Sequence, residues 1–113
     1  MQKIVIAFDH DGYAVKETVV KTVREYGFGI IDVGTDSYHP VDYPDYAYLA
    51  SQKIVNHEAE KGILVSGTGI GMSLSANKIK GIYAGVCHDV YTAKRAVRAE
   101  NINVLCLGAH VTT

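Results

Sequence analysis

Three glycines at alternate positions, Gly67, Gly69 and Gly71, directly follow a short apolar run that ends at Ser66. The run is typical of a buried strand, and helix-forming residues from 72 to 80 come next. The stretch therefore predicts a strand, a glycine turn and the start of a helix. Because the first turn of a helix leaves N–H groups unpartnered at the positive end of its dipole, such a turn is suited to bind an anion. The alternative is that the glycines only allow the helix to pack closely on the sheet.

Apolar runs alternate with segments of helical periodicity along the whole chain of 113 residues. Strands are predicted at 3–8, 30–33, 61–66, 82–87 and 103–107. Helices are predicted at 15–26, around 46–54, at 72–80 and from 88–89 to about 100. Strands that alternate with single helices predict a parallel sheet with right-handed crossovers, covered on both faces. The chain is thus expected to form one α/β/α domain.

The periodicity also predicts which side chains face the sheet. Val23 and Tyr26 are among the apolar residues that recur near helical spacing in the first helix, which Gly27 ends, and the last helix passes through Val97. In the second helix the inner positions are Tyr46 or Ala47, Ala50 and Ile54. The stretch 37–44 contains both prolines and is predicted to be a loop.

Charge and cysteine content exclude several classes of protein. A formal net charge of −1 gives no basic face, so no nucleic-acid partner is expected. No run approaches the roughly 18 apolar residues of a membrane span, and the first residues have no signal-peptide layout. A cytoplasmic protein is expected, with no membrane partner. Cys87 and Cys106 lie in apolar runs and are interpreted as reduced core thiols, and no zinc-ligand spacing occurs, so no metal or other cofactor is predicted.

Polar side chains follow the predicted strands at the points where these end. They are Asp9 and His10, Ser66 and Thr68, His88 and Asp89, and His110. The carboxyl ends of parallel strands share one edge of a sheet, and ligands bind there in the crevice where the strand order reverses. If the first strand neighbours the third, Asp9 and His10 flank the same crevice as the glycine turn.

Better-known glycine motifs do not match the turn. The dinucleotide fingerprint needs glycine where Met72 stands, and the first lysine after the turn is Lys78, too far away to complete a phosphate-binding loop. The nucleophile elbow needs glycine where Leu64 stands. What remains is a cradle for an oxyanion or a hydroxyl group, with the Ser66 and Thr68 side chains beside the backbone amides.

The carboxylates near the strand ends each have two interpretations. Asp9 caps the helix that follows or, with His10 as a titratable neighbour, binds sugar hydroxyls. Asp42 is a helix cap or a loop residue. His88 and Asp89 form a helix start, where an aspartate favours the dipole, or take part in the site.

Ordered motifs over essentially the whole chain resemble type B ribose-5-phosphate isomerase, in a wider family that includes galactose-6-phosphate isomerase subunits and allose-6-phosphate isomerase. They are Asp9-His10, 42–46, 62–71, Ala76-Asn77-Lys78, 87–89 and 103–105. The resemblance implies a Rossmann-like three-layer α/β/α domain with a five-stranded parallel sheet. It also implies an aldose–ketose isomerase of phosphorylated sugars, ribose-5-phosphate first among them, that needs no metal and forms homodimers or homotetramers whose sites are shared between subunits.

The resemblance also implies roles for single residues. Asp9 and His10 would contact the sugar and its phosphate, Tyr43 would line the pocket, and Thr68 would assist the turn. The amides of Gly67, Thr68, Gly69, Ile70 and Gly71 would hold a cis-enediolate while one base moves a proton between adjacent carbons.

Several positions depart from the family pattern. Ser66 stands where relatives of this kind usually have a cysteine base, and Met72 where another branch has a glutamate. A ring-opening histidine falls at Ala99, its asparagine neighbour at Glu100 (with Asn101 beside it), and a phosphate-binding arginine at His110. The family normally continues for a further ~30–40 residues, enough for a helix and a tail.

These departures leave two functions open. The first is an isomerase whose altered base is Ser66, activated by His10, Asp9 or another nearby group. The second is a catalytically impaired subunit that binds a sugar phosphate, alone or beside a complete paralogous subunit. A small anion-binding or interaction domain is a third interpretation.

Overall fold

The computed structural model describes residues 2–34 and 43–111, and all of their side chains except those of Tyr43 and Val90. Five strands are present in this part of the chain: β1 (Lys3–Phe8), β2 (Gly29–Asp32), β3 (Lys61–Ser66), β4 (Ala84–Val86) and β5 (Val104–Gly108). Four α-helices connect them: α1 (Lys16–Glu25), α2 (Tyr43–Val55), α3 (Ile70–Asn77) and α4 (Val90–Arg98). A 3-10 turn at Gly12–Val15 precedes α1. The alternation of strand and helix is the one predicted.

All five strands pair in parallel, in the order β2-β1-β3-β5-β4. The first strand is therefore the neighbour of the third, as the crevice argument requires. β5 lies between β3 and β4, so β4 is an edge strand. The sheet order reverses between β1 and β3, and the loops that follow these two strands leave the sheet side by side.

Helices cover both faces of the sheet, which confirms the three-layer class. Alternate residues of β1 and β3, such as Val5, Ala7 and Leu64, pack against α2 and α3. The other set, including Ile6, Phe8 and Val65, packs against the valines of α1. As predicted, Ala47, Ala50 and Ile54 form the inner side of α2. The strands are buried on both faces because each carries apolar residues at consecutive positions.

Two helix boundaries differ from the prediction. Pro44 was expected in a loop but lies in the first turn of α2, where its missing N–H costs no hydrogen bond. α3 begins at Ile70 and ends at Asn77 instead of spanning 72–80. The last turn tightens, because the Lys78 and Ile79 amides donate to carbonyls only three residues earlier. The side chain of Asn77 donates to the Ala84 carbonyl at 2.9 Å and accepts from the Ala84 amide at 2.7 Å. The predicted loop at 37–42, with Asp42, lies outside the described residues.

Three strands also differ from the prediction at their ends. β4 is shorter than predicted, because residues 82 and 83 belong to a turn in which the Tyr83 amide donates to Asn103 Oδ1 at 2.9 Å. β2 and β5 are displaced by one residue. Two apolar residues of the predicted helices, Tyr26 and Val97, are 77% and 44% exposed. Tyr26 follows the last residue of α1, so the helical periodicity no longer applies to it.

None of the helices in the described part of the chain is both long enough and apolar enough to cross a membrane.

Candidate active site

The glycine turn after β3 is held by its own side chains. Ser66 Oγ, in a side chain that is only 6% exposed, accepts a hydrogen bond from the Gly69 amide at 2.9 Å. Thr68 Oγ1 accepts from the Ile70 amide at 3.3 Å. Gly69 has a φ of 83°, and a Cβ at this position would lie 3.1 Å from the Leu107 carbonyl carbon. The turn thus requires glycine both for its left-handed backbone and for its close approach to β5.

Backbone amides are left over at the start of α3. In the described residues the amides of Thr68, Gly71 and Met72 have no hydrogen-bond partner. They lie at the N-terminus of an eight-residue helix, where the helix dipole favours negative charge. The combination of free amides and dipole can hold a phosphate or the oxygen of an enediolate. We call residues 66–71 the cradle.

The turn after β1 is hydrogen-bonded to the end of β3, the strand that precedes the cradle. The Asp9 amide donates to the Val65 carbonyl at 3.1 Å, so the residues that follow β1 are fixed beside the end of β3. The Asp9 side chain is 4% exposed, and its Oδ1 accepts from the Gly12 amide at 2.8 Å. The capping interpretation of Asp9 is therefore confirmed, and the cap orders the turn that carries His10.

Two histidines and one carboxylate meet at the cradle. His10 Nε2 lies 3.6 Å from Asp11 Oδ2, and His110 Nε2 lies 3.7 Å from Asp11 Oδ1. A Cβ placed on Gly67 would lie 2.8 Å from His110 Cδ2 and 3.4 Å from Asp11 Oδ2. The structure thus brings His10 and His110 together with the cradle, as expected from their positions after β1 and β5.

Asp11 is a site candidate that the sequence did not single out. It occupies a turn between His10 and Gly12, where an aspartate is common for conformational reasons alone. Its distinguishing property is that it contacts both histidines, and the contact with His110 spans almost the whole length of the chain. The sequence indicated this contact in one way: His110 follows a strand that ends at the same edge of the sheet.

The remaining candidates are a helix cap, two residues at the opposite edge of the sheet and Tyr43. Asp89 Oδ1 accepts from the Thr92 amide at 2.6 Å, which confirms its interpretation as the cap of α4. The hydrogen bond from the Thr92 amide lowers the pKa of the Asp89 carboxyl. Glu100 and Asn101 follow α4 and precede β5, so they lie at the amino edge of the sheet, opposite the cradle. Tyr43 begins α2, and its side chain is outside the description.

Neither cysteine resembles a catalytic thiol. Both are buried and free, as predicted. Burial raises the pKa of Cys106 to about 12, and burial together with the nearby Asp89 carboxylate raises the pKa of Cys87. A thiol must lose its proton to act as a base or nucleophile. These two thiols stay protonated at neutral pH.

One cleft in the described part of the chain lies away from the cradle. A cleft of about 760 Å³ runs along α1, and every residue that lines it belongs to α1 or to the 3-10 turn before it. Binding sites usually form where several elements converge, as they do at the cradle. The described residues contain no group of three or more His, Cys, Asp or Glu side chains that could hold a metal ion.

Comparison with known proteins identifies the class to which this fold and site belong. The family model described as Ribose/Galactose Isomerase matches residues 4–113. The chain is therefore a member of the ribose/galactose isomerase family.

Individual relatives are similar to this chain over about three quarters of their own length. Ribose-5-phosphate isomerase B of Escherichia coli is 40% identical over 111 residues, which cover 98% of this chain and 74% of the relative. The structure of Trypanosoma brucei type B ribose 5-phosphate isomerase superposes with a TM-score of 0.96 at 44% identity, covering 100% of this chain and 77% of that one. Ribose-5-phosphate isomerase B from Mycoplasma genitalium with bound ribulose-5-phosphate gives a TM-score of 0.91 at 36% identity, with coverages of 98% and 74%.

These similarities confirm the predicted family and the Rossmann-like α/β/α fold. They support sugar-phosphate isomerisation over the impaired-subunit alternative, because the relatives are themselves named as isomerases. They do not assign roles to residues of this chain, so the contributions of single side chains rest on the geometry above.

Proposed function

We propose that this protein interconverts an aldose phosphate and a ketose phosphate through a cis-enediolate, with ribose-5-phosphate and ribulose-5-phosphate as the substrate pair. The observation that carries the proposal is the set of free amides at the N-terminus of α3, in a chain that belongs to the ribose/galactose isomerase family. An enediolate develops negative charge on oxygen, and amides that are already oriented stabilise that charge without reorganisation.

Each predicted site residue has a part in this proposal. The free amides of the cradle and of Met72 bind the enediolate oxygens, while the Gly69 and Ile70 amides hold the turn through their bonds to Ser66 and Thr68. His10 contacts the sugar and its phosphate from the turn after β1, and Asp9 orders that turn as its cap. His110, which is 66% exposed beside Gly67, binds the phosphate, and Tyr43 lines the pocket.

Ser66 is given a positioning role at the cradle. Its hydroxyl is buried and accepts a hydrogen bond from the Gly69 amide. The side chain thereby fixes the conformation of the turn. A serine hydroxyl is a very weak acid, and none of the contacts described for Ser66 is with a base that would activate it. Replacement by alanine should therefore weaken the cradle, while replacement by cysteine would supply a more acidic group at the same place.

The choice of pentose phosphate rests on the named relatives. Those from Escherichia coli and Trypanosoma brucei are called ribose-5-phosphate isomerases, and the Mycoplasma genitalium structure contains ribulose-5-phosphate. We also propose a homodimer or a homotetramer as the active form. Glu100 and Asn101 lie at the far edge of the sheet, so they can contribute only to the cradle of another copy.

A coupled assay of the purified protein tests the proposal. Ribose-5-phosphate, ribulose-5-phosphate, allose-6-phosphate and galactose-6-phosphate are offered separately, and we expect turnover to be fastest with the two pentose phosphates. Glu25→Gln, at the end of α1 and remote from the cradle, is the control variant and should match the wild type. Absence of turnover with all four sugar phosphates would contradict the proposed function.

A further inference from the structure

An isomerase of this kind needs a base that carries a proton between adjacent carbons, and the obvious positions do not offer one. Ser66 is buried and engaged with the Gly69 amide. Met72 is fully buried and has no titratable group. The thiols of Cys87 and Cys106 are buried among core residues. The base must therefore come from a neighbouring element.

Among the described residues, the carboxylates of Asp9 and Asp11 lie beside the cradle, and only one of the two is open to a ligand. Asp9 is 4% exposed and caps the turn with Oδ1. The Asp11 side chain is 45% exposed, and its Oδ2 lies 3.4 Å from the point where a Cβ on Gly67 would stand. That point is filled by the His110 ring, whose Cδ2 would be 2.8 Å away, so the Asp11 carboxylate and His110 lie side by side against the Gly67 backbone. The half-exposed carboxylate is therefore open to a ligand at the edge of the cradle.

We propose that the Asp11 carboxylate is the catalytic base of the isomerisation. It removes the proton from C2 of the open-chain aldose, so that the C2–H bond breaks, an O–H bond forms on Asp11, and the electron pair moves into the enediolate. Asp11 then returns the proton to C1. The proton of the O2 hydroxyl moves to O1, and the net result is a ketose with no gain or loss of electrons.

The two imidazoles around Asp11 suit this task. His10 and His110 lie on opposite oxygens of the carboxylate, at 3.6 and 3.7 Å, so they limit its rotation and keep it facing Gly67. An imidazole can also carry the hydroxyl proton from O2 to O1, because histidine both accepts and donates protons near neutral pH. The inference rests on the proposed function, because it supplies the base for that same reaction.

Substitution of Asp11 tests the assignment. Asp11→Asn keeps the size of the side chain but cannot accept the carbon proton, and we expect kcat to fall by about 10²–10⁴-fold, the usual contribution of a general base. Binding should persist, so ribose-5-phosphate should still raise the melting temperature of the variant. Asp11→Glu, which keeps the carboxylate, should retain more activity than Asp11→Asn, and Glu25→Gln should behave as the wild type.

A second measurement follows the proton itself. In deuterated water the wild type should incorporate deuterium at the carbon that exchanges, as seen by NMR of the sugar phosphate, and Asp11→Asn should not. If Asp11→Asn keeps more than a tenth of the wild-type kcat, or exchanges deuterium at the wild-type rate, Asp11 is not the base. Failure of the wild type itself to isomerise any sugar phosphate would instead overturn the proposed function.

Discussion

Gly69 shows how much of the cradle depends on a single residue. A side chain on a left-handed backbone costs about 1–2 kcal/mol, and Gly69 adds to this its close approach to the Leu107 backbone. Gly81 has a similar φ of 92° but nothing within 4 Å of a Cβ placed on it. The two glycines therefore separate the cost of the backbone conformation from the cost of the close contact.

We expect Gly81→Ala to lower the free energy of unfolding by about 1–2 kcal/mol, and Gly69→Ala to lower it by more, because β5 must also move. Urea denaturation of both variants measures the difference. Gly81→Ala should keep the rise in melting temperature on addition of ribose-5-phosphate, whereas Gly69→Ala should lose it because the cradle amides are displaced. Equal losses of stability and retained binding in both variants would show that the Leu107 contact has no influence on the site.

At the same scale, the sequence predicted some site residues better than others. The turn formed by Ser66, Thr68 and the glycines could be predicted, because a strand, a turn and a helix start leave a local pattern in the sequence. The place of Asp11 beside this turn could not be predicted, because its contact with His110 joins residues that follow two different strands. Such a contact depends on which strands are neighbours in the sheet, and local composition does not determine the strand order.

At the scale of the elements, the side chain of Asp89 stabilises the first turn of α4. Asp89 Oδ1 accepts from the Thr92 amide at 2.6 Å, and this hydrogen bond lowers the pKa of the carboxyl. A carboxyl whose pKa is lower in the folded state stabilises the protein at pH values above its unfolded pKa, near 3.9. That stabilisation is lost as the pH falls through the folded pKa.

We therefore expect Asp89→Ala to lower the melting temperature at pH 7. Asp89→Asn should lower it less, because asparagine is also a good N-cap residue. The difference between the wild type and Asp89→Asn should shrink as the pH is lowered below about 4. Thermal unfolding followed by circular dichroism at several pH values gives these comparisons. A difference that stays constant down to pH 2 would mean that the charge of Asp89 does not contribute.

The helices and strands were located well from periodicity, and their ends less well. The inner face of α2 was correct because Ala47, Ala50 and Ile54 repeat at helical spacing. The end of α3 was placed three residues late, because the Lys78 and Ile79 amides donate to carbonyls three residues earlier, so the helix tightens and stops. Local propensity does not show where this change of hydrogen bonding occurs.

For the whole molecule, the two edges of the sheet carry different parts of the predicted site. The cradle, His10 and His110 are at the carboxyl edge, and Glu100 and Asn101 are at the amino edge. The strand β3 between them spans five residue steps, roughly 16 Å, which is too far for one small sugar phosphate to reach across. One chain therefore cannot use both groups on the same substrate molecule.

Complementation between two variants tests whether sites are shared. His10→Ala removes a group at the cradle, and Glu100→Ala with Asn101→Ala removes the groups at the other edge. Each protein alone should lose activity. If the proposed dimer forms, co-expression with different tags makes half of the dimers mixed. Each mixed dimer then has one intact site of two, provided that the partner supplies Glu100 and Asn101. We expect about a quarter of the wild-type activity in the mixture. A mixture no more active than the mean of the two variants would mean that the cradle works without Glu100 and Asn101 from a second copy.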